Sequence, residues 1–295
     1  MPFMKKIAKK TICLPVTGKT RVYAAIEADA VQKKVLRHLM RRAKFTAFGE
    51  HYRFTQLLDS DDFTAQFKKT VPVHAYREMY IRWWYRLLNG ETYVTWPGKQ
   101  KYFLTKGNDN KPTGKYIPVS RALIRSLCIT GKQHLSVSDN NTSTHFDKAL
   151  LKPDYNKTYY SGTLPGIISH HKPLKYHCCF HNLFCSDDKH ENRGFFLTEA
   201  GWVGSGIKDK DSEFQLIVNN GLYYEFIPFS NSSGGKKIRG VPNATLSINE
   251  TEENAEYLII ITNNSGAWRY LTGYVIAFTD KEKLLFKITG KIKTD

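Results

Sequence analysis

The stretch Tyr102-Phe103-Leu104-Thr105-Lys106-Gly107-Asn108-Asp109-Asn110-Lys111-Pro112-Thr113-Gly114-Lys115-Tyr116-Ile117-Pro118-Val119 decides how this sequence is read. Lys101–Thr105 has the composition of a short strand. Lys106–Gly114 is a polar loop, Lys115–Val119 resumes order, and a helix begins near Ser120. A loop between a strand and a helix N-terminus gathers backbone N–H donors that suit a phosphate. Lys106, Lys111 and Lys115 supply positive charge, and Gly107 and Gly114 supply backbone freedom. No hydroxyl lies between Lys106 and Pro112, so composition alone favours a basic surface loop. Gly18-Lys19-Thr20 is no Walker loop, because Cys13 stands where the first glycine belongs.

N-terminal to this unit the pattern is helical. Val31, Val35 and Leu39, with Leu36 and Met40, recur at three- and four-residue spacing, which predicts an amphipathic helix over Tyr23–Ala43 that ends at Phe48-Gly49. Its other face carries Lys33, Lys34, Arg37, Arg41 and Arg42, the pattern of a solvated helix face. A second helix starts after Asp59, Asp61 or Asp62, any of which can cap it, and stops at Pro72. A third runs from Ala75 to Leu88, and its aromatics (Tyr76, Tyr80, Trp83, Trp84, Tyr85) fit core packing better than a base-stacking platform. Gly131–Thr163 reads as irregular. From Gly194 onward β-signals dominate: Phe214–Val218, Leu222–Pro228, Tyr257–Thr262, Tyr274–Thr279 and Leu284–Thr289 are strand-like, with Asn219-Asn220-Gly221 as a hairpin turn. The expected organisation is 1–130 as an N-terminal half with the loop unit, 131–193 as a shortened connection, and 194–295 as a β-rich half.

Composition narrows the partners. The 295 residues include 44 Lys and Arg against 27 Asp and Glu, a net charge of +17. Such a surplus favours anionic partners, among them nucleotides and nucleic acids, although scattered basic residues also describe an ordinary soluble surface. Five cysteines are an odd number, and a chain of this size has no need of disulfides. His170, His171, His177, Cys178, Cys179, His181, Cys185 and His190 lie close together but lack paired metal-ligand spacing, so idle thiols are the better reading than zinc. No apolar run has the length of a signal peptide core or a membrane span, which places the protein in the cytoplasm.

Two further constellations could carry chemistry. Thr198-Glu199, after the apolar run Phe195-Phe196-Leu197, places a hydroxyl beside a carboxylate, as magnesium and phosphate binding require; such pairs also start helices. In Gly266-Ala267-Trp268-Arg269-Tyr270-Leu271-Thr272-Gly273-Tyr274, an arginine among aromatics could stack on a base or hold a phosphate. The same stretch also suits a corner between strands.

Taken in order, these pieces resemble the Gretchen Hagen family of acyl acid–amido synthetases in the adenylate-forming superfamily, particularly its bacterial members. The resemblance rests on Ala43–Gly49 with Tyr52 and Phe54; on Val71-Pro72-Val73, Tyr76, Leu88–Glu91 and Trp96-Pro97-Gly98; on Tyr102-Phe103 with Lys115–Val119; and on Leu222–Pro228, Gly266–Gly273 and Ile288-Thr289-Gly290. It implies an α/β fold, the partial large N-terminal domain of an adenylate-forming enzyme with helices packed on mixed sheets. It also implies ATP and Mg2+ as cofactors, and a carboxylic acid and an amino acid or amine as partners. The acid would be activated to an acyl-adenylate and then passed to the amine. By resemblance Thr198 and Glu199 are catalytic, Glu199 holds the metal, and Thr105, Gly107, Lys115, Arg269, Gly273, Tyr274 and Lys291 contact the nucleotide.

The departures from that pattern are specific. The family's loop reads Ser-Ser-Gly-Thr where this chain has Lys106–Lys111, and Asp109 puts a carboxylate where phosphate would sit. The family's Gly-Asp at the ribose is here Gly273-Tyr274, and its later Gly-Arg is Gly290-Lys291. The middle is expected to be shortened by about a hundred residues, a domain-sized piece. The chain stops where the small C-terminal domain is expected to begin. The expectation is an impaired or inactive synthetase. The alternative is a non-catalytic remnant or a basic protein that binds nucleotides or nucleic acid.

Overall fold

The computed structural model describes residues 23–106, 115–135, 151–153, 159–162, 167, 194–197, 199–207, 212–229 and 244–294. The predicted first helix is α1 (Ala25–Ala43), which buries Leu36, Leu39 and Met40. It does not reach Phe48-Gly49. Thr46 accepts a hydrogen bond from the Gly49 amide at 3.1 Å and so caps a separate helix, α2 (Ala47–His51). Gly49 is required there, since a Cβ would lie 2.2 Å from the Ala43 carbonyl oxygen. A short α3 (Phe54–Leu58) follows. Of the three aspartates that could cap the next helix, Asp62 does so, accepting from the Ala65 amide at 3.0 Å, and α4 (Phe63–Thr70) ends before Pro72.

The aromatic helix consists of α5 (Tyr76–Met79), a π-helical turn (Tyr80–Trp84) and α6 (Tyr85–Leu88). The wide turn lets neighbouring tryptophans serve two contacts. Trp83 packs on Phe48 with centroids 4.9 Å apart, and Trp84 packs on Tyr270 at 5.7 Å. Trp83 and Trp84 are core, as expected, Tyr76 and Tyr80 pack half-buried against it, and Tyr85 is exposed.

Two sheets follow. The first has the order β2-β1-β4-β3, formed by β1 (Tyr102–Lys106), β2 (Lys115–Val119), β3 (Leu151–Pro153) and β4 (Tyr160–Gly162). The region expected to be irregular therefore supplies two strands, and α7 (Arg121–Leu135) runs past Gly131. β4 pairs parallel to β1, while the other pairs are antiparallel.

The second sheet is antiparallel, in the order β5-β6-β7-β11-β10-β9-β8. Its strands are β5 (Gly194–Leu197), β6 (Gly201–Gly206), β7 (Glu213–Leu216), β8 (Leu222–Pro228), β9 (Glu256–Asn263), β10 (Tyr270–Asp280) and β11 (Leu285–Lys291). Asn219-Asn220-Gly221 does not make a hairpin. It joins β7 to β8, which have three strands between them, so the local turn signal is overridden by the pairing of β7 with β6 and β11. α1 covers the β8 edge: the Gln32 amide nitrogen donates to the Val218 and Leu222 carbonyls at 2.7 and 2.9 Å, and its oxygen accepts from the Tyr224 amide at 2.7 Å. Covering an edge in this way blocks pairing with other chains.

His74 is buried beside β10, where its amide donates to the Arg269 carbonyl and its own carbonyl accepts from the Leu271 amide, each at 2.9 Å. Burial, reinforced by the Arg269 charge, lowers its pKa to about 4, although a bond to the Trp268 carbonyl opposes the shift. The unfolded chain therefore takes up this proton first. Stability from the neutral ring is complete above about pH 6.5 and is lost as pH falls toward about 4. Urea unfolding should show a lower midpoint at pH 4.5 than at pH 7, with the gap narrowed in His74→Gln. An equal gap in the variant would assign the acid sensitivity elsewhere.

No helix among the described residues is long and apolar enough to cross a membrane. None of their His, Cys, Asp and Glu side chains form a group of three or more that could hold a metal ion, and the His170–His190 cluster lies outside the described residues.

Candidate functional site

The strand–loop–helix unit is present as a frame. Thr105 pairs with Tyr116 and Lys106 with Lys115 across β1 and β2. Gly107 and the rest of 107–114 lie outside the described residues. Ser120 caps α7 by accepting from the Leu123 amide at 3.0 Å. The Ser120 amide donates to Ser265 Oγ at 2.8 Å, and its hydroxyl donates to the Asn264 carbonyl at 2.6 Å. These bonds tie the frame to the turn between β9 and β10, although more than a hundred residues separate them in sequence.

Lys115 leaves β2 toward that same end of the large sheet. Its ammonium donates to the Thr294 carbonyl at 2.9 Å and lies 5.0 Å from the centre of the Tyr76 ring. The Tyr76 hydroxyl accepts from the Tyr116 amide at 2.8 Å. Burial pushes the Tyr76 phenol up to about 12, against that hydrogen bond. The Tyr270 phenol is raised further, by burial first and then by the negative charge of Glu199 and by Tyr76. Both tyrosines remain protonated donors at neutral pH.

Glu199 sits in the tight turn between β5 and β6, where Leu197 pairs with Gly201. It is 5% exposed, and its carbonyl accepts from the Asn263 side chain at 2.7 Å. Thr198 lies outside the described residues. Glu199 therefore belongs to a turn between strands rather than to a helix start.

Gly273 interrupts β10 with φ +82°, and a Cβ there would lie 2.7 Å from the Ile292 carbonyl oxygen. Tyr274 pairs with Lys291 across β10 and β11. The Lys291 ammonium donates to the Tyr274 hydroxyl at 3.0 Å and sits 4.4 Å from the centre of its ring.

Arg269 points elsewhere. Its guanidinium is fully buried, donates to both Glu225 oxygens at 3.1 Å and to Thr245 Oγ1 at 2.8 Å, and reaches the Lys68 carbonyl at 2.6 Å and the Val71 carbonyl. The last two are carbonyls at the C-terminal end of α4, which an α-helix leaves without intrahelical partners. Arg269 thus closes α4 against the sheet.

The structure accordingly joins Lys115 to Thr294 beside Gly273 and joins Lys291 to Tyr274, while the Glu199 charge reaches Tyr270 and Arg269 turns away from them. Tyr76 was read as core, and Tyr270 sat unremarked inside the glycine-bounded stretch. A tyrosine at helical spacing and a tyrosine next to arginine carry no sign of a shared site until the fold places them together.

Glu199 and Lys115 have the donor chemistry that the metal–phosphate half of an ATP site would use. One buried carboxylate, Glu199, and one ammonium, Lys115, suffice where magnesium takes most of its other ligands from phosphate and water. The ribose half does not fit. Where an acceptor for two ribose hydroxyls would be needed, the Tyr274 hydroxyl already accepts from Lys291.

Comparison with known proteins agrees with this frame. The N-terminal domain of the GH3 family matches residues 23–145, and the GH3 central domain matches residues 215–286, together about two thirds of the chain. Among solved structures, a GH3.15 acyl acid amido synthetase superposes with TM-score 0.62 at 13% identity, over 93% of this chain and 70% of that one. AtGH3.15 acyl acid amido synthetase in complex with 2,4-DB superposes with TM-score 0.65 at 13% identity, over 95% and 72%. A sequence search of curated proteins finds no match. With both domains matched in order on the α/β fold of the amido synthetases, the chain belongs to GH3, the Gretchen Hagen family.

Proposed function

We propose that this chain is an ATP-dependent acyl acid–amido synthetase relative whose binding framework persists while its adenylation chemistry is impaired. On this reading Lys115 neutralises phosphate and Glu199 holds magnesium. The acyl partner is a carboxylic acid, and the acceptor is an amino acid or amine. Residues 1–130 and 194–295 carry the two halves of the site, and 131–193 connects them. When bound, ATP with Mg2+ supplies the phosphoanhydride that activates the acid.

The observation that carries the reading is the Lys291–Tyr274 contact at 3.0 Å. In the resembling enzymes that position bears the ribose-binding carboxylate. A phenol offers one acceptor, already used, in place of two carboxylate oxygens. Loss of a preorganised group of this kind typically costs about a hundredfold in rate.

Titration calorimetry with Mg-ATP tests this. The wild-type chain should bind weakly, and Tyr274→Asp should bind about tenfold tighter or more, since a hydrogen bond to a charged group contributes about 1.5–3 kcal/mol. Equal affinities would show that position 274 does not meet the ribose.

A further inference from the structure

We propose that residues 292–294 form an autoinhibitory strap that holds the Lys115 ammonium, and that an anion enters the site only by displacing it. This deepens the proposed nucleotide site and rests on that reading. Three contacts carry it. The Ile292 amide donates to the Gly273 carbonyl at 2.8 Å. The Ile292 side chain is 7% exposed and packs with Val73, Leu271 and Val275. The Thr294 carbonyl accepts from Lys115 Nζ at 2.9 Å.

The strap follows directly from β11, and its Ile292–Gly273 bond extends the antiparallel pairing of β11 with β10 beyond Lys291 and Tyr274. This gives Gly273 a second reason to be glycine. Any Cβ there would lie 2.7 Å from the Ile292 carbonyl oxygen and 3.2 Å from Thr294 Cγ2, so the close approach of the strap needs a bare backbone as well as the φ of +82°. The strap therefore lies against the loop frame and the large sheet at once, held to each by one hydrogen bond and buried at Ile292.

Its hold on Lys115 is a bond to a neutral carbonyl. A phosphate oxygen bonds the same ammonium with both partners charged, which makes a stronger bond than the strap's, where only the donor is charged. The strap can thus be outcompeted by an anionic ligand, and it lowers apparent affinity by the fraction of molecules in which it is closed. Ile292 is its anchor, so weakening that anchor should raise the open fraction.

The test uses sodium tripolyphosphate as the anion on the intact chain. Calorimetry compares the wild type with Ile292→Ala, the milder Ile292→Val and Lys115→Gln. Hydrogen exchange follows the amides of 292–294 in the wild type, with those of β11 as the internal control. The strap predicts binding about tenfold tighter in Ile292→Ala, a smaller gain in Ile292→Val, lost binding in Lys115→Gln, and faster exchange at Ile292 when the anion is added. Unchanged or weaker binding in both Ile292 variants, with slower or unchanged exchange at Ile292, would overturn the strap while leaving Lys115 as the anion's partner. Equal binding by Lys115→Gln and wild type, or none by any of them, would overturn both the strap and the nucleotide reading beneath it.

Discussion

Replacing Glu225 with alanine is expected to destabilise the fold by about 3–5 kcal/mol, the range for removing one partner of a buried ion pair. Glu225 and Arg269 are both fully buried, with Oε1 3.0 Å from the guanidinium. The variant leaves the Arg269 charge in the core without its carboxylate, beside the Lys68 and Val71 carbonyls and Thr245. The pair also holds together parts remote in sequence: the end of α4, β8, Thr245 and the start of β10. Losing it loosens the closure of α4 as well as the charge balance. Arg269→Lys should also be costly, because a single ammonium cannot fork to the carboxylate while reaching two helix carbonyls. Urea unfolding at pH 7 measures both, and a loss below about 1 kcal/mol for Glu225→Ala, the size of an exposed ion pair, would contradict the assignment.

Gly266→Ala is the second large effect. Gly266 has φ +83°, and a Cβ would lie 2.3 Å from Thr95 Oγ1, 2.7 Å from Thr95 Cβ and 2.8 Å from the Thr95 backbone carbon. A hydroxyl can rotate away, but the backbone carbon cannot. The neighbourhood is also pinned: the Trp268 indole donates to the Thr95 carbonyl at 3.0 Å, and the Trp84 indole donates to the Gly266 carbonyl at 3.4 Å. Gly98→Ala is the matched control, with φ +84° and nothing within 4 Å of the added Cβ. It should cost only the left-handed backbone penalty, about 1–2 kcal/mol. Gly266→Ala should cost about 1–3 kcal/mol more, the size of an overpacked core site, or fail to give soluble protein. Thermal unfolding of the two side by side decides it, and equal losses would place Thr95 farther from Gly266 than described.

Several elements were legible because their causes are local. Asp62 and Phe63–Phe67 carry cap and face within one turn of each other, and Leu222–Pro228 is apolar or aromatic except at Glu225, so α4 and β8 fall where the pattern puts them. The Asn219-Asn220-Gly221 turn misled for the opposite reason. Its residues favour a tight reversal, but which strands flank it depends on β11 arriving from some seventy residues later to pair with β7. β3 and β4 were hidden because strands of three residues leave no periodicity, and Gly49 looked like a terminator because the Thr46 cap behind it is visible only with its hydrogen bond.

The site divides the same way. Lys115 stands out in the sequence because lysine after a glycine-bearing loop has one obvious chemistry, and it does lie at the mouth of the frame. Arg269 looked like its partner because an arginine among aromatics has the same chemistry, yet the carboxylate that claims it, Glu225, lies 44 residues away and leaves no local mark. Tyr274 and Lys291, each read in the sequence as a departure from the family's pattern, meet across β10 and β11, where the ammonium donates to the phenol.

The most direct measurement of the central claim is acid-dependent exchange of labelled pyrophosphate into ATP, run with Mg2+ and a panel of aliphatic and aromatic carboxylic acids. An impaired adenylation site predicts no exchange above the acid-free background for any acid, while Mg-ATP still binds by calorimetry. Exchange that rises with one acid and vanishes in Lys115→Ala would show the adenylation chemistry to be intact and contradict the account.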